Sequence, residues 1–374
     1  MDRVQQAQGE GRFVNALATR IAGLIQAQGP LSIAQFMTMA LHDPDFGYYA
    51  TRDPLGAQGD FITAPEVSQI FGELLGLWIA QCWHDQGKPS PARLVELGPG
   101  RGTLMADALR AARLMPEFLA AIEIAMVESN PVLQMAQQES LKDCGMAIRW
   151  CGRFDDSLAD RPLFLLANEF FDALPIRQFV KTERGWCERM VTLDSNDALA
   201  FALAPAPISG AAIPPNRDGA PPGAVYETSP ASLALAGEIG RIIAAHGGAA
   251  LIVDYGYGAQ AGFGETLQAV GGHAFKEILE SPGEIDLSAH VDFAALGEEA
   301  RRNGAAFHGP VGQGDFLDAL GIRARAEQLA ASNPGVARDI FSAVGRLIDP
   351  DQMGTLFKAL AIMPRGAAKP AGFA

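Results

Sequence analysis

Two groups of residues in this 374-residue chain have types and spacings that could do chemistry. The first group is residues 94–103, where Gly98, Gly100 and Gly102 follow an apolar stretch that contains Glu96. Glycine permits positive φ and lets the backbone approach a ligand, while free amides at the start of a following helix attract polar groups. The run therefore predicts a turn that binds a nucleotide-like cofactor.

A carboxylate that could accept hydrogen bonds from ribose hydroxyls is Glu128, which directly follows a predicted strand over 122–127. Dinucleotide-binding turns usually read Gly-x-Gly-x-x-Gly, but Thr103 stands where the third glycine would be. The neighbourhood also lacks a lysine that could grip a phosphate. These features favour S-adenosyl-L-methionine, a cationic adenosine derivative without a diphosphate, over NAD or ATP. The alternative is a structural turn beside a surface glutamate.

The second group is residues 168–175, Asn-Glu-Phe-Phe-Asp-Ala-Leu-Pro, which directly follow another apolar stretch. Methyl transfer from a sulfonium is an in-line displacement, so the protein mainly has to hold donor and acceptor in place. Glu169 and Asp172 could grip a guanidinium acceptor from two sides if the segment turns helically. Phe170 and Phe171 could line the pocket, because a guanidinium plane stacks on aromatic faces. The alternative is that both phenylalanines are core residues and the acids cap a following helix.

Three more residues are candidates for contacts with the cofactor. Glu96 could accept from its amine, or it could be a buried group that bonds to backbone. Asp155 could take the adenine amino group, or it could lie in a solvated loop. Asn168 lies where the reactive methyl group should project.

Three further residues are candidates on the substrate side. Asp60 and Glu66 could face the cleft, although a capping box over residues 63–66 already accounts for Glu66. His290 could assist removal of a proton. The nearby Asp292 has a structural explanation, because an acidic residue near the start of a helix is stabilised by the helix dipole.

The elements that must position these residues alternate between strand and helix, which predicts a doubly wound, Rossmann-like α/β fold with a parallel sheet of six or seven strands. In such sheets, ligands bind at the carboxyl ends of the strands, where most of the candidates stand. The predicted strands are 93–97, 122–127, 147–151, 162–167, 249–254 and 305–308. The predicted helices of the core are 103–114, 131–142, 230–246 and 291–303.

The remaining segments are predicted to surround this core. They comprise helices at 13–28, 32–42 with Ser32 as N-cap, and about 65–84, a hairpin of 175–181 with 186–193, and three amphipathic helical stretches after Gly314, of which 350–363 is the clearest. The predicted organisation is an N-terminal helical substrate or lid region (1–90), a core (91–310) with an insertion (175–228), and a C-terminal helical extension (311–374).

Composition narrows the function classes. The formal net charge is −14 with a pI near 4.9 and no lysine-arginine cluster stands out, so we expect no nucleic-acid partner and favour a cationic substrate. The four cysteines form no Cys-x-x-Cys pair and the six histidines show no metal-ligand spacing, which predicts a reducing compartment and no metal. We expect no targeting peptide and no membrane insertion, hence a cytoplasmic protein. Whether it forms a homodimer stays open.

A family resemblance rests on five ordered motifs, at residues 59–71, 95–104, 168–175, 254–257 and 286–293. Together they resemble the motif set of the MidA-like methyltransferases. The likeness continues through Gly309-Pro310 and residues 348–354, so it covers most of the chain. Glu265 stands where the family usually has aspartate, and Ser288 stands where threonine is common. Neither difference touches the cofactor candidates.

The resemblance implies a class I methyltransferase sheet and a protein arginine methyltransferase that uses S-adenosyl-L-methionine. The mitochondrial member is an assembly factor that symmetrically dimethylates an arginine on a subunit of respiratory complex I. A bacterial cytoplasmic counterpart would act on the corresponding subunit of an NADH:quinone oxidoreductase.

Three alternatives stay open at this stage. One is a methyltransferase of another acceptor, because Asn168 followed by aromatics resembles the Asn-Pro-Pro-Tyr loop of amino-group methyltransferases. Another is an assembly chaperone that keeps the cofactor pocket without turnover. The third is a nucleotide-dependent dehydrogenase.

Overall fold

The computed structural model describes residues 15–51, 62–208, 213, 219–258, 264–272 and 274–373. The chain divides into two compact units. The first unit comprises Met1–Arg52, Ala173–Ala231 and Ala261–Ala289. The second unit comprises Asp53–Asp172, Ser232–Gln260 and His290–Ala374.

The helices of the described residues are α1 (Ala16–Gln28), α2 (Ile33–His42), α3 (Tyr48–Thr51), α4 (Ala64–Val67), α5 (Gln69–Asp85), α6 (Thr103–Ala112), α7 (Pro116–Ala121), α8 (Pro131–Leu141), α9 (Pro230–His246), α10 (Phe293–Arg302), α11 (Gln313–Ala319), α12 (Ile322–Ser332) and α13 (Ala337–Ile348). The strands are β1 (Leu31–Ser32), β2 (Ala92–Leu97), β3 (Ile122–Val127), β4 (Ile148–Cys151), β5 (Leu163–Asn168), β6 (Arg177–Thr182), β7 (Gly185–Leu193), β8 (Leu199–Leu203), β9 (Val225–Thr228), β10 (Gly248–Tyr257), β11 (Gln268–Gly271), β12 (Ala274–Lys276), β13 (Asp286–Ser288), β14 (Val291–Asp292), β15 (Ala306–Gly312) and β16 (Phe357–Met363).

The second unit contains the large sheet, whose strand order is β15-β16-β10-β5-β2-β3-β4, with β14 paired to the end of β10. Five neighbouring strands, from β10 to β4, pair in parallel. Every residue of β2 and β5 is buried, which is typical of a parallel sheet covered on both faces. The doubly wound α/β fold is confirmed, with eight described strands in place of the expected six or seven.

The first unit combines the N-terminal helices with two antiparallel sheets. One sheet has the order β1-β7-β6-β9 with β8 also paired to β7, and the other has the order β12-β11-β13. The predicted hairpin is confirmed as β6 and β7. Helix α2 begins as predicted, because the Ser32 side chain accepts from the N–H of Gln35 and the Gln35 side chain accepts from the N–H of Ser32.

The predicted helix over 65–84 is broken in two. The backbone of Ser68 is extended, with φ −157° and ψ 131°, and separates α4 from α5. Its hydroxyl accepts from the N–H of Ile70 at 3.3 Å, so Ser68 is the N-cap of the longer helix. Thr63 does stand at the N-cap position of α4, but its side chain makes no capping hydrogen bond, so the predicted capping box is wrong.

The predicted amphipathic helix over 350–363 is also wrong. Pro350–Gly354 forms a single π-type turn, and β16 follows it as an antiparallel strand between β10 and β15. The run from Phe357 to Met363 is buried at nearly every position, so it shows neither helical nor strand periodicity. Three helices do lie in the tail, but they are α11, α12 and α13.

Among the described residues, no helix has the length and apolar character needed to cross a membrane.

Strand β16 should contribute strongly to stability. The side chain of Leu360 is 0% exposed, whereas Leu356, just before the strand, is 46% exposed. We expect Leu360→Ala to lower the free energy of unfolding by about 2–5 kcal/mol, because a buried leucine leaves a cavity. Leu356→Ala is the matched control and should change it far less. Urea unfolding measures both, and equal losses would contradict the placement of β16.

Candidate active site

The adjacent carboxyl ends of β2 and β5 form the centre of the candidate site. Strand order runs from β2 toward β3 on one side and from β5 toward β10 on the other, so the connections diverge at this point. Ligands of doubly wound sheets bind in the crevice at such a switch. Leu97 at the end of β2 pairs with Ala167, so Gly98 and Asn168 follow at neighbouring positions.

The glycine turn has the backbone that its sequence predicts. Gly98, Gly100 and Gly102 have φ of 57°, 53° and 82°, a region that other residues avoid. A Cβ at Gly98 would lie only 2.7 Å from a ring carbon of Phe170, so no larger residue fits there. The turn leads directly into α6, which begins at Thr103 and has no side-chain cap for its first amides.

Two buried side chains at these strand ends have an acceptor without a donor. Among the described residues, Oε2 of Glu96 and Oδ1 of Asn168 are buried and receive no hydrogen bond. Glu96 is 2% exposed, and burial raises its pKa well above the usual value, although the N–H of Met105 donates to it. Unsatisfied buried acceptors in a crevice call for a donor from outside the protein. The amine of S-adenosyl-L-methionine fits that requirement.

Glu128 directly follows the end of β3. Its Oε1 accepts from the N–H of Asn130 at 2.7 Å, and its Oε2 accepts from Nε2 of Gln137 at 3.3 Å. Burial raises the pKa of Glu128, and these two donors oppose that rise. A carboxylate has about four acceptor positions, so it retains capacity for the ribose hydroxyls.

Gln137, a buried side chain of α8, is a site residue that was not predicted from the sequence. Its Nε2 donates to the carbonyl of Gly100 at 2.8 Å as well as to Glu128, and its Oε1 accepts from Nε1 of Trp150 at 2.9 Å. One amide thus links the glycine turn, the acidic end of β3 and strand β4. The local sequence carried no signal for this role, because a glutamine on a helix is usually solvated.

Glu66 bonds to the residue that follows the glycine turn and does not form a capping box with Thr63. Its Oε1 accepts from the hydroxyl of Thr103 at 2.6 Å, at the first residue of α6. The structural interpretation of Glu66 as part of a capping box is therefore wrong, and the residue lies at the cofactor turn. Asp60, the other acidic candidate in this segment, lies outside the described residues.

Asp155 stands apart from the other candidates. It follows β4 at the edge of the sheet, and β2 and β3 separate that strand from β5. Its carboxylate accepts from the N–H of Ser157 at 3.0 Å and caps a short turn, Asp156–Leu158. Hydrogen bonds from Ser157 lower its pKa. Its Oδ2 lies 3.5 Å from Nε of the exposed Arg153.

Glu169 is the acidic candidate with the most unusual surroundings. Its Oε1 accepts from the N–H of Ala64 at 2.9 Å and from Nδ2 of Asn168 at 3.0 Å. Its pKa is raised to about 7: burial is the largest cause and the nearby carboxylate of Asp172 adds to the rise, while both donors and the charge of Arg346 oppose it. A carboxyl group with this pKa can hold or release a proton near neutral pH.

The segment after β5 differs from both sequence-based interpretations. It forms turns, and the next regular element is β6, so neither a helical grip by Glu169 and Asp172 nor a capped helix exists. Glu169 has φ 49°, an uncommon value for a residue with a side chain. The N–H groups of Phe170, Phe171 and Asp172 point to one carboxylate oxygen, Oδ2 of Asp254, at 3.1, 2.9 and 3.2 Å.

The two aromatic candidates lie in different environments. Phe171 is 2% exposed, whereas Phe170 is half-buried. Their rings meet edge to face with centroids 5.6 Å apart. Phe170 is therefore the ring that a ligand can reach, and Phe171 supports it from the interior.

His290 lies next to the end of β10. Its ring meets that of Tyr255 edge to face at 5.5 Å, and β14 begins at the next residue. A Cβ at Gly256 would lie 2.1 Å from the carbonyl oxygen of Val291, so glycine is required for this pairing. The described residues contain no cluster of three or more histidine, cysteine or carboxylate side chains arranged to hold a metal.

Comparison with known protein families gives a match over the central part of the chain. A family model of S-adenosyl-L-methionine-dependent methyltransferases matches residues 74–311. The chain is 36% identical to protein arginine methyltransferase NDUFAF7, mitochondrial, of Danio rerio, over 93% of this chain and 87% of that protein. The human protein of the same name is 35% identical, over 91% of this chain and 81% of the relative.

Comparison with solved structures gives the same fold over nearly the whole length. A protein from Burkholderia thailandensis crystallised with bound S-adenosyl-homocysteine has a TM-score of 0.84 and 29% identity, over 95% of this chain and 93% of that chain. A second crystal structure of a superfamily member from the same organism has a TM-score of 0.81 and 30% identity, with the same coverage.

Gln137 should strengthen cofactor binding through the two groups that it holds. Gln137→Leu removes its bonds to Gly100 and Glu128 and leaves the indole N–H of Trp150 without its acceptor. We expect the affinity for S-adenosyl-L-methionine to fall by about 1–2 kcal/mol. Gln138→Leu, an exposed neighbour on the same helix, is the matched control. Calorimetric titration measures both, and equal affinities would refute the role of Gln137.

Proposed function

This chain belongs to the S-adenosyl-L-methionine-dependent methyltransferases, and we propose that it methylates an arginine side chain of a protein substrate. The two relatives that align with this chain over most of their length are named protein arginine methyltransferases. The shared length matters, because the chain covers more than four-fifths of each of those two relatives.

The observation that carries the proposal is the charge at the ends of β5 and β10. Glu169, Asp172 and Asp254 place three carboxyl groups at this one edge, and burial or like-charge proximity raises the pKa of two of them. Such a site disfavours an anionic acceptor and stabilises a cation. A guanidinium also stacks on an aromatic face, which the half-buried ring of Phe170 offers.

The residues divide into a cofactor side and an acceptor side. When bound, S-adenosyl-L-methionine supplies a methyl group activated by a positively charged sulfur. Glu96 and Asn168 hold its amine, Glu128 accepts from the ribose hydroxyls, and the glycine turn lets the backbone approach. Asp155 extends this side toward the adenine. The protein's main contribution is to hold the two reacting groups in line.

On the acceptor side, Glu169 and Asp172 bind the guanidinium, while Glu66 and Phe170 border it. An arginine is protonated before and after it gains a methyl group, so each transfer releases one proton. Glu169 accepts that proton, because its pKa of about 7 suits a general base at neutral pH. His290 beside Tyr255 is the next group that can relay the proton toward solvent.

The finer assignment rests on the resemblance to the MidA-like methyltransferases. We propose that the substrate is a subunit of a respiratory NADH:quinone oxidoreductase, in which symmetric dimethylation of one arginine aids assembly. The acidic site is compatible with this assignment, since the acceptor after one transfer is still a cation.

Transfer of labelled methyl groups tests the proposed function. Purified protein with labelled S-adenosyl-L-methionine and a cell extract should label protein, and mass spectrometry should find methylated arginine. Glu169→Gln should reduce labelling by about a hundredfold or more, the low end for loss of a general base. Glu139→Gln, an exposed residue of α8, is the control. Cofactor binding without any labelled arginine would contradict the proposal and favour a chaperone.

The pH dependence of the reaction follows from the pKa of Glu169. A base must be ionised to accept a proton, so kcat/KM should rise as pH increases from 6 to 8 with a midpoint near the pKa of about 7. In Glu169→Gln the residual activity should lack this rise, because glutamine does not titrate. A flat wild-type profile over this range would exclude Glu169 as the base.

A further inference from the structure

The end of β10 carries a carboxylate whose bonding goes beyond that of an ordinary strand residue. Asp254 is 0% exposed, and its Oδ2 accepts from three consecutive amides, those of Phe170, Phe171 and Asp172. Its Oδ1 accepts from the N–H of Tyr255 at 2.9 Å. Both carboxyl oxygens therefore act as hydrogen-bond acceptors for the backbone.

Those three amides belong to the segment that directly follows the proposed general base. Regular secondary structure does not supply their acceptors, because the segment leaves β5 at Asn168 and forms turns. Buried backbone N–H groups need an acceptor, and a carboxylate is a stronger one than a carbonyl. Asp254 thus replaces the hydrogen bonds that a strand or helix would have provided.

The backbone of Glu169 has a conformation that its surroundings must stabilise. A φ of 49° is strained for a residue with a side chain, and it persists only where the surroundings hold it. The N–H of Glu169 donates to the carbonyl of Val253 at 2.9 Å, just before Asp254. The end of β10 therefore holds the backbone on both sides of the strained residue.

The surroundings of Asp254 are electrostatically unfavourable for a carboxylate. Burial raises the pKa of Asp254 well above its usual value, and the carboxylates of Asp172 and Glu169 raise it further. The backbone amides of Asp172 and Tyr255 oppose that rise. An asparagine would avoid the repulsion, but its NH₂ group could not accept from an amide.

We propose that Asp254 is the positioning residue of the site, whose carboxylate fixes the backbone of residues 169–172 so that Glu169 and Asp172 face the acceptor. This inference rests on the proposed function. It assigns Asp254 no contact with the cofactor or the substrate, and its effect is exerted through Glu169 and Asp172.

The test separates positioning from folding. In Asp254→Asn, kcat should fall at least about tenfold, which corresponds to loss of about 1.4 kcal/mol in the transition state. The dissociation constant for S-adenosyl-L-methionine should stay within about twofold, because Glu96, Glu128 and the glycine turn keep their contacts. Asp107→Asn, a buried aspartate of α6 that bonds to Arg110, is the control and should keep both values. Unchanged kcat in Asp254→Asn, or loss of cofactor binding in parallel with kcat, would overturn the inference.

Hydrogen exchange of the wild-type protein keeps the inference testable if the variant fails to fold. The amides of Phe170, Phe171 and Asp172 should exchange as slowly as those of β5, although they lie in turns. Fast exchange at these three amides would overturn the role of Asp254. If wild-type protein transfers no methyl group to arginine, the proposed function fails, and hydrogen exchange still decides whether Asp254 fixes the segment.

Discussion

Parallel pairing of β2 with β5 places the carboxyl ends of both strands at the same edge of the sheet, and the groups that we propose to bind and react are attached to those ends. The register puts Gly98 and Asn168 at neighbouring positions, so the glycine turn and the acidic segment leave the sheet side by side. Reversal of either strand would move one of them to the opposite edge. The close contact of Gly98 with Phe170 is a consequence of this pairing, and it excludes every residue larger than glycine.

The electrostatics of the site follow from this convergence. Glu96, Glu128, Glu169 and Asp254 all have a raised pKa, and burial is the largest cause in each case. Burying acids without cations is unfavourable for the folded chain. The cost is offset when ligands bring positive charge, as a sulfonium, an amine and a guanidinium do. Under the proposed function, the same acids that are unfavourable for the folded chain would favour cationic ligands.

The sequence predicted those parts of the molecule whose signals are local. Strand β3 has the predicted bounds, 122–127, because an apolar run there lies between a helix and an acidic turn. The glycine turn was predicted for a similar reason, since its φ values require glycine. Gln137 and Asp254 were missed as site residues because their roles depend on partners far away in the chain. The local signal for Asp254 was an acidic residue at the end of an otherwise apolar strand, which calls for buried partners.

The C-terminal segment that was predicted to be a helix is strand β16, and it supports the site from a remote part of the chain. Strand β16 pairs with β10 along its length and places Phe357 opposite Tyr255, where the two rings meet edge to face at 5.5 Å. Tyr255 in turn contacts His290 and donates its N–H to Asp254. Because β16 covers this edge of β10, Asp254 lies in an interior strand and is shielded from water, which strengthens its bonds to residues 170–172. Strand β16 thus contributes to the buried environment of the carboxylate that bonds to the segment after Glu169.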